Sequence, residues 1–135
     1  MIKTANRYTT SSHCVYNLGY HIIWCTKYRR KVLVGDIKPR LKEILCQKAG
    51  DISCHVEKME VMPDHVHVFV KSTPTVAPHF IAAQLKELSS RILRDEFPSL
   101  RSRLPTLWTR SYYCESVGHI SQETIVRYIE RQKQV

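Results

Sequence analysis

Nowhere does this 135-residue chain carry the roughly 20 consecutive apolar residues that a membrane-spanning helix needs, so no membrane role is expected of it. The opening residues MIKTANRYTTSSHC lack the apolar centre of a secretory signal, and residues 1–14 are expected to form a flexible or peripheral arm rather than an address. Compact cysteine patterns are absent as well. Cys14, Cys25, Cys46, Cys54 and Cys114 form no CxxC, and an odd number cannot all pair within one chain, so reduced thiols in a cytoplasmic protein are expected. There is no HExxH helix, no internal repeat and no low-complexity segment. The length suits a single domain over residues 1–135 with one modest core, which leaves elaborate chemistry to a compact site or to a partner subunit. Acidic residues are the scarce charge: 12 Asp and Glu stand against 21 Lys and Arg, a formal net charge of +9 that favours a polyanionic partner. An anionic membrane would attract the same charge, but the basic residues are scattered and no apolar anchor accompanies them.

YNLGYHIIWCTKYRRKV, residues 16–32, has the Tyr, Ile, Trp and Thr of a strand through about Thr26, followed by a basic turn around Lys27 to Lys31. From Asp36 to Ala49 the apolar Leu41, Ile44, Leu45 and Ala49 recur at helical spacing, with Gly50 expected to stop the helix. CHVEKMEVM and HVHVFVK both alternate with period two, separated by Pro63 and Asp64, which reads as a hairpin or as a break within one strand. A second helix is expected to start near Pro78, bury Ile81, Leu85, Leu88 and Ile92, and end before Phe97-Pro98. A loop around Ser99 to Arg103, a strand within LWTRSYYCESV and a last helix, capped by Ser121 and running to about Gln134, complete the order. Two strand-helix-strand units of this kind make an α+β fold, a four-stranded antiparallel sheet with helices on one face.

In HVHVFVK, His65, His67, Phe69 and Lys71 share one strand face while Val66, Val68 and Val70 share the other. The valines suit packing on helices. The two imidazoles lie about 6–7 Å apart along the strand and can converge on one ion, although two histidines so spaced also arise by chance on an exposed face. The triple HxHxH pattern is absent, because Phe69 stands at the third position.

ISQETIVRYIERQKQV places Ile125, Tyr128, Ile129 and Gln132 on one helical face. Gln132 can offer a neutral oxygen to a cation, and Tyr128 then lies one turn from whatever that cation activates. A divalent ion on two neutral imidazoles and an amide keeps its charge available to a scissile phosphate, so the set suits phosphoryl transfer. A phenol with a free pKa near 10 attacks only when proton removal or metal polarisation helps it, and the product would be a phosphotyrosine that can be rejoined without ATP. The same spacing also describes a tyrosine that merely closes an amphipathic helix. Tyr112 and Tyr113 are rival nucleophiles, but their opposite directions in a strand assign packing to at least one of them.

KYRRK places Lys27, Arg29, Arg30 and Lys31 directly after a strand, where they can hold phosphates at a sheet edge. Arg91 and Arg94 on the second helix, with Arg101, Arg103 and Arg110 beyond it, extend that grip, though such charges also serve solubility alone. Tyr20, Trp24, Tyr28 and Trp108 include candidates for stacking on unpaired bases, with Trp24 better suited to the core.

Taken together, MEVMPDHVHVFV, YHIIWCTKYRRKVL, LWTRSYYC and IVRYIERQ resemble, in matching order over nearly the whole chain, the TnpA family of small insertion-sequence transposases, the HUH single-tyrosine class. The resemblance implies a ferredoxin-like (RRM-like) domain with a C-terminal helix that carries the tyrosine. It implies a homodimer with composite sites, located in the cytoplasm on DNA, that recognises subterminal hairpins and cuts single-stranded DNA. On that pattern His65 and His67 match paired metal ligands, Gln132 a third ligand and Tyr128 the nucleophile. Magnesium is the implied ion, with manganese as a substitute. A replication initiator or a domesticated HUH nuclease would share this chemistry. A ferredoxin-like RNA-binding module, with no ion at the histidines, is the non-enzymatic alternative.

Overall fold

Alternation along HVHVFV decides the architecture, because it gives one strand an apolar face and a polar one. The computed structural model describes residues 9–10, 14–116 and 122–134, without the side chains at 9–10, 122–125 and 134. Two short strands, β1 (Thr9–Thr10) and β2 (Val15–Tyr16), pair with each other outside the main sheet. The remaining residues of the expected N-terminal arm, and the Ser121 cap, lie outside the described residues. The main elements are β3 (Leu18–Cys25), α1 (Ile37–Asp51), β4 (His55–Met62), β5 (His65–Ser72), α2 (Pro78–Glu96), α3 (Ser99–Arg103), β6 (Tyr113–Ser116) and α4 (Gln122–Arg131).

The result is a mixed α+β fold. Across the sheet the order is β4, β5, β3, β6, and each neighbouring pair is antiparallel. The register pairs Ile22 with Val68, Trp24 with Val66 and Tyr20 with Val70, so one face of the two central strands is apolar over these three pairs. That face meets Leu41, Ile44, Leu45 and Ala49 of α1 and Ile81, Ala82, Leu85 and Leu93 of α2 in one cluster of buried side chains. Burying each valine or leucine there contributes about 1.5–3 kcal/mol. Trp24 and Trp108 meet edge to face in the same cluster, 5.8 Å between ring centroids.

Several local expectations change. Gly50 does not stop α1: the helix runs on to Asp51, and Ser53 takes the left-handed turn at φ 63°, with the Cys54 amide donating to the Ala49 carbonyl at 2.7 Å. The segment read as a loop at residues 99–103 is the short helix α3, entered from Pro98 in helical conformation and held by the buried Leu100. Pro63 and Asp64 do form a hairpin turn, between β4 and β5. LWTRSYYCESV pairs continuously only over Tyr113–Ser116, with a separate bridge from Trp108 to Thr26. The last helix is α-helical through Arg131 and tightens to a 3-10 turn over Gln132–Gln134. Among the described residues, no helix is long and apolar enough to cross a membrane.

Candidate active site

The sheet face opposite the core carries the candidate site residues. There His67 pairs with Ile23 on β3 and Glu60 on β4, His65 pairs with Cys25 and Met62, and His21 pairs with Phe69 and Glu115. Ile23 and Cys25 are nevertheless fully buried, because α4 lies across this face. A cleft of about 470 Å³ remains between sheet and helix, lined by His21, Ile23, Glu60, His65, His67 and Phe69 on one side and by Val126 and Ile129 on the other.

Each imidazole has a fixed neighbour. His65 donates from Nδ1 to Asp64 Oδ1 at 2.8 Å, and among the described residues its Nε2 has no hydrogen-bond partner. A carboxylate at this nitrogen sets the tautomer and orientation of a metal-binding histidine. Burial alone would raise the Asp64 carboxyl, but the hydrogen bonds from His65 and Arg29 outweigh it and hold the carboxyl below its usual range. His67 Nε2 lies 3.3 Å from His21 Nδ1, so one ring donates to the other, and His21 is stacked on Phe69 at 4.7 Å. Burial lowers the pKa of both, for His67 helped by the neighbouring His21 and opposed by Glu60, for His21 opposed by Glu115. Neutral rings are the ligating form. His65 and His67 line the same cleft and could hold a divalent ion there. Among the described residues, no three His, Cys, Asp or Glu side chains converge at ligand spacing.

Tyr128 and Gln132 do share a face, but they turn toward β6 rather than into the cleft. Ser111 Oγ donates to Gln132 Oε1 at 2.9 Å, and the Tyr128 hydroxyl lies 3.4 Å from the same serine oxygen. The Gln132 side-chain amide donates back to the Tyr128 carbonyl at 3.3 Å. The Tyr128 ring packs on Tyr113, 5.7 Å between centroids. Burial pushes the Tyr128 phenol up to about 12, against a smaller opposing pull from Ser111. In this position Tyr128 is a protonated, parked group. Of the rival tyrosines, Tyr113 donates to Glu115 and Tyr112 bonds His79 on the helix side, which confirms their opposite directions. The Ser111 loop is itself clamped: the Lys86 ammonium donates to the carbonyls of Thr109, Arg110 and Ser111 at 2.7, 3.2 and 3.0 Å, and burial lowers its pKa to about 8.

The basic residues divide. Arg30, Lys31 and Arg91 are exposed, and Lys27 sits over the exposed Tyr28 ring at 5.0 Å. Arg94 donates to the Leu104 carbonyl, and Arg29 is turned inward to Asp64 at 2.9 Å. Trp24 and Trp108 are buried, which removes both as stacking platforms and leaves Tyr28 the outward aromatic of the four candidates. Sequence reasoning passed over His21, Asp64 and Ser111. A polar residue beside a candidate ligand was the available signal for Asp64; nothing local marks the other two.

Comparison with known proteins matches residues 14–132 to the family described as "Transposase IS200 like". The chain belongs to this family, the TnpA type of HUH transposases. It is 44% identical over 121 residues to the ISDra2 transposase TnpA of Deinococcus radiodurans, covering 87% of this chain and 86% of that protein. It is 28% identical over 123 residues to the transposase for insertion sequence element IS200 of Salmonella typhimurium, covering 90% and 80%. A 1.90 Å crystal structure of a candidate transposase from Deinococcus radiodurans superposes with a TM-score of 0.85 at 36% identity, over 92% of this chain and 97% of that one. A REP-associated tyrosine transposase bound to a REP hairpin shares the fold of this family member at a TM-score of 0.56 and 10% identity, over 85% and 68%.

Proposed function

We propose that this chain cleaves and rejoins single-stranded DNA at insertion-sequence ends, with Tyr128 as the nucleophile and a magnesium ion, or manganese in its place, held by His65, His67 and Gln132. The observation that carries the reading is the pairing of two imidazoles, His65 and His67, on an open cleft with a tyrosine helix laid across the same sheet face, in a member of a transposase family. When bound, the ion would withdraw charge from the scissile phosphate. The chain's own residues do the rest. Asp64 orients His65 through Nδ1, burial favours the neutral form of His67, and α4 delivers the phenol.

Attack by the Tyr128 oxygen forms a bond to the 5′ phosphate and breaks the bond to the 3′ oxygen, which leaves as a hydroxyl. The reverse attack rejoins the strand. Since Tyr128 and Gln132 rest on Ser111, α4 must shift, within its chain or onto a second copy, before the phenol can meet a phosphate at the histidines. A homodimer with the tyrosine helix of one chain opposite the histidines of the other would satisfy that requirement. The strand order supports a ferredoxin-like reading of the fold. Subterminal hairpins are the proposed substrate feature, held by Lys27, Arg30, Lys31 and Arg91 at the surface, while Arg29 and Arg94 are engaged internally and contribute less.

The test is cleavage of an end-labelled, hairpin-containing single strand in magnesium. Wild type is expected to give a free 3′ hydroxyl and a protein-linked 5′ end, chelation to stop it, and Tyr128→Phe to bind the strand without cutting. Cleavage that continues under chelation, or in Tyr128→Phe, refutes the assignment.

A further inference from the structure

KYRRK reads as a phosphate-binding cluster, yet the middle arginine is built into the site. Tyr28 and Arg29 are consecutive non-glycine residues with left-handed backbones, φ 57° and 52°, a conformation that persists only where its surroundings impose it. Those surroundings are Thr26 and Asp64. The Thr26 amide donates to the Asp64 carbonyl at 3.0 Å, and Thr26 Oγ1 donates to the Arg30 carbonyl at 2.6 Å, so the turn and Asp64 are tied together. From that turn Arg29 Nε donates to Asp64 Oδ2 at 2.9 Å, while the other carboxylate oxygen takes the proton of His65 Nδ1 at 2.8 Å. Arg29 Nη1 points to α4, 3.5 Å from the Ile129 carbonyl and 3.6 Å from Glu130 Oε1.

We propose that Arg29 is a positioning residue that couples the two halves of the site, orienting His65 through Asp64 and holding the tyrosine helix against the same sheet. The inference rests on the function proposed above for the roles of His65 and Tyr128. The two arms differ in strength. The Asp64 arm is short, charge-assisted and nearly buried, whereas the Glu130 arm is long, half-exposed and shared with Lys133 at 3.2 Å. Helix α4 therefore lets go first, and Asp64 stays held while it is away. Conversely, loosening Asp64 frees the guanidinium and with it the anchor of α4. A lysine cannot replace this, because one ammonium lacks the fork that reaches both sides.

The test combines amide hydrogen exchange across residues 126–133 with binding of Mn²⁺ alone, on the full chain. Asp64 makes no hydrogen bond or ion pair with α4 among the described residues, so Asp64→Asn is the decisive variant. It is expected to speed α4 exchange by about threefold to tenfold and to weaken Mn²⁺ binding by about tenfold or more. Arg29→Met should do both. Arg29→Lys should keep Mn²⁺ binding within about threefold of wild type while α4 exchanges as fast as in Arg29→Met. Exchange in α1 and α2 controls for folding, and if Arg29→Met loosens those helices, Glu130→Ala replaces it, with a smaller rise confined to α4. Unchanged α4 exchange in Asp64→Asn or in Glu130→Ala, or an Arg29→Lys protein that keeps both properties, overturns the coupling. A wild type that fails to bind Mn²⁺ refutes the metal reading instead and leaves the exchange comparison standing.

Discussion

Two faces of one strand, β5, meet opposite requirements within six residues. Val66, Val68 and Val70 are fully buried against α1 and α2, where volume and apolarity decide the fit. His65, His67 and Phe69 are half-exposed under α4, where each imidazole has a named polar partner and a gap remains beside it. The comparison teaches that stability and chemistry are separated here by side-chain direction rather than by distance, so neighbouring substitutions should have unlike consequences.

The hardest way to break the first face is Val68→Asp, which buries an unpaired charge and should lower the unfolding free energy by at least about 4 kcal/mol in urea titration. His67→Asp, one residue away, should cost about 1 kcal/mol or less and abolish Mn²⁺-dependent cleavage; equal losses of stability would erase the distinction between faces. Leu85→Ala should cost about 2–5 kcal/mol through a cavity in the helix layer. Tyr128→Phe, by contrast, should stay within about 1 kcal/mol of wild type while strand cleavage disappears. A subtler test uses pH. Burial raises the Tyr128 phenol from 10 to about 12, so the folded state favours the neutral form, and its contribution to α4 docking is complete below pH 10 and lost as pH rises through 12. Difference absorbance titration of wild type against Tyr128→Phe should show one phenol titrating near 12; titration of that group near 10 would mean that α4 is not docked as described. Smallest of all, Ser111→Ala should cost about 0.5–1.5 kcal/mol and loosen α4 to hydrogen exchange.

Much of this was legible locally. Period-two alternation in HVHVFV separated valines from histidines, and Pro78 with Phe97-Pro98 bracketed α2. Trp24 was read as core and is fully buried. Gly50 was misleading because a glycine can remain inside a helix when a following residue, here Ser53, takes the left-handed turn. The partners of the site residues were harder to read, because His21 meets His67 across 46 residues and Arg29 meets α4 across 100. Helical spacing placed Tyr128 with Gln132, but spacing carries no information on which neighbour that face meets, and the neighbour is Ser111. The inward turn of Arg29 depends on a left-handed backbone that no glycine announces.

The central claim is that the Tyr128 oxygen, once α4 leaves Ser111, becomes covalently joined to the 5′ end of a cut strand. Peptide mapping of protein incubated with a hairpin-bearing single strand and magnesium measures this directly. The account predicts a nucleotide-linked peptide containing residues 128–131 and none at Tyr112 or Tyr113. A linkage at either of those tyrosines, or cut DNA with no linked peptide at any stage of the reaction, would contradict it.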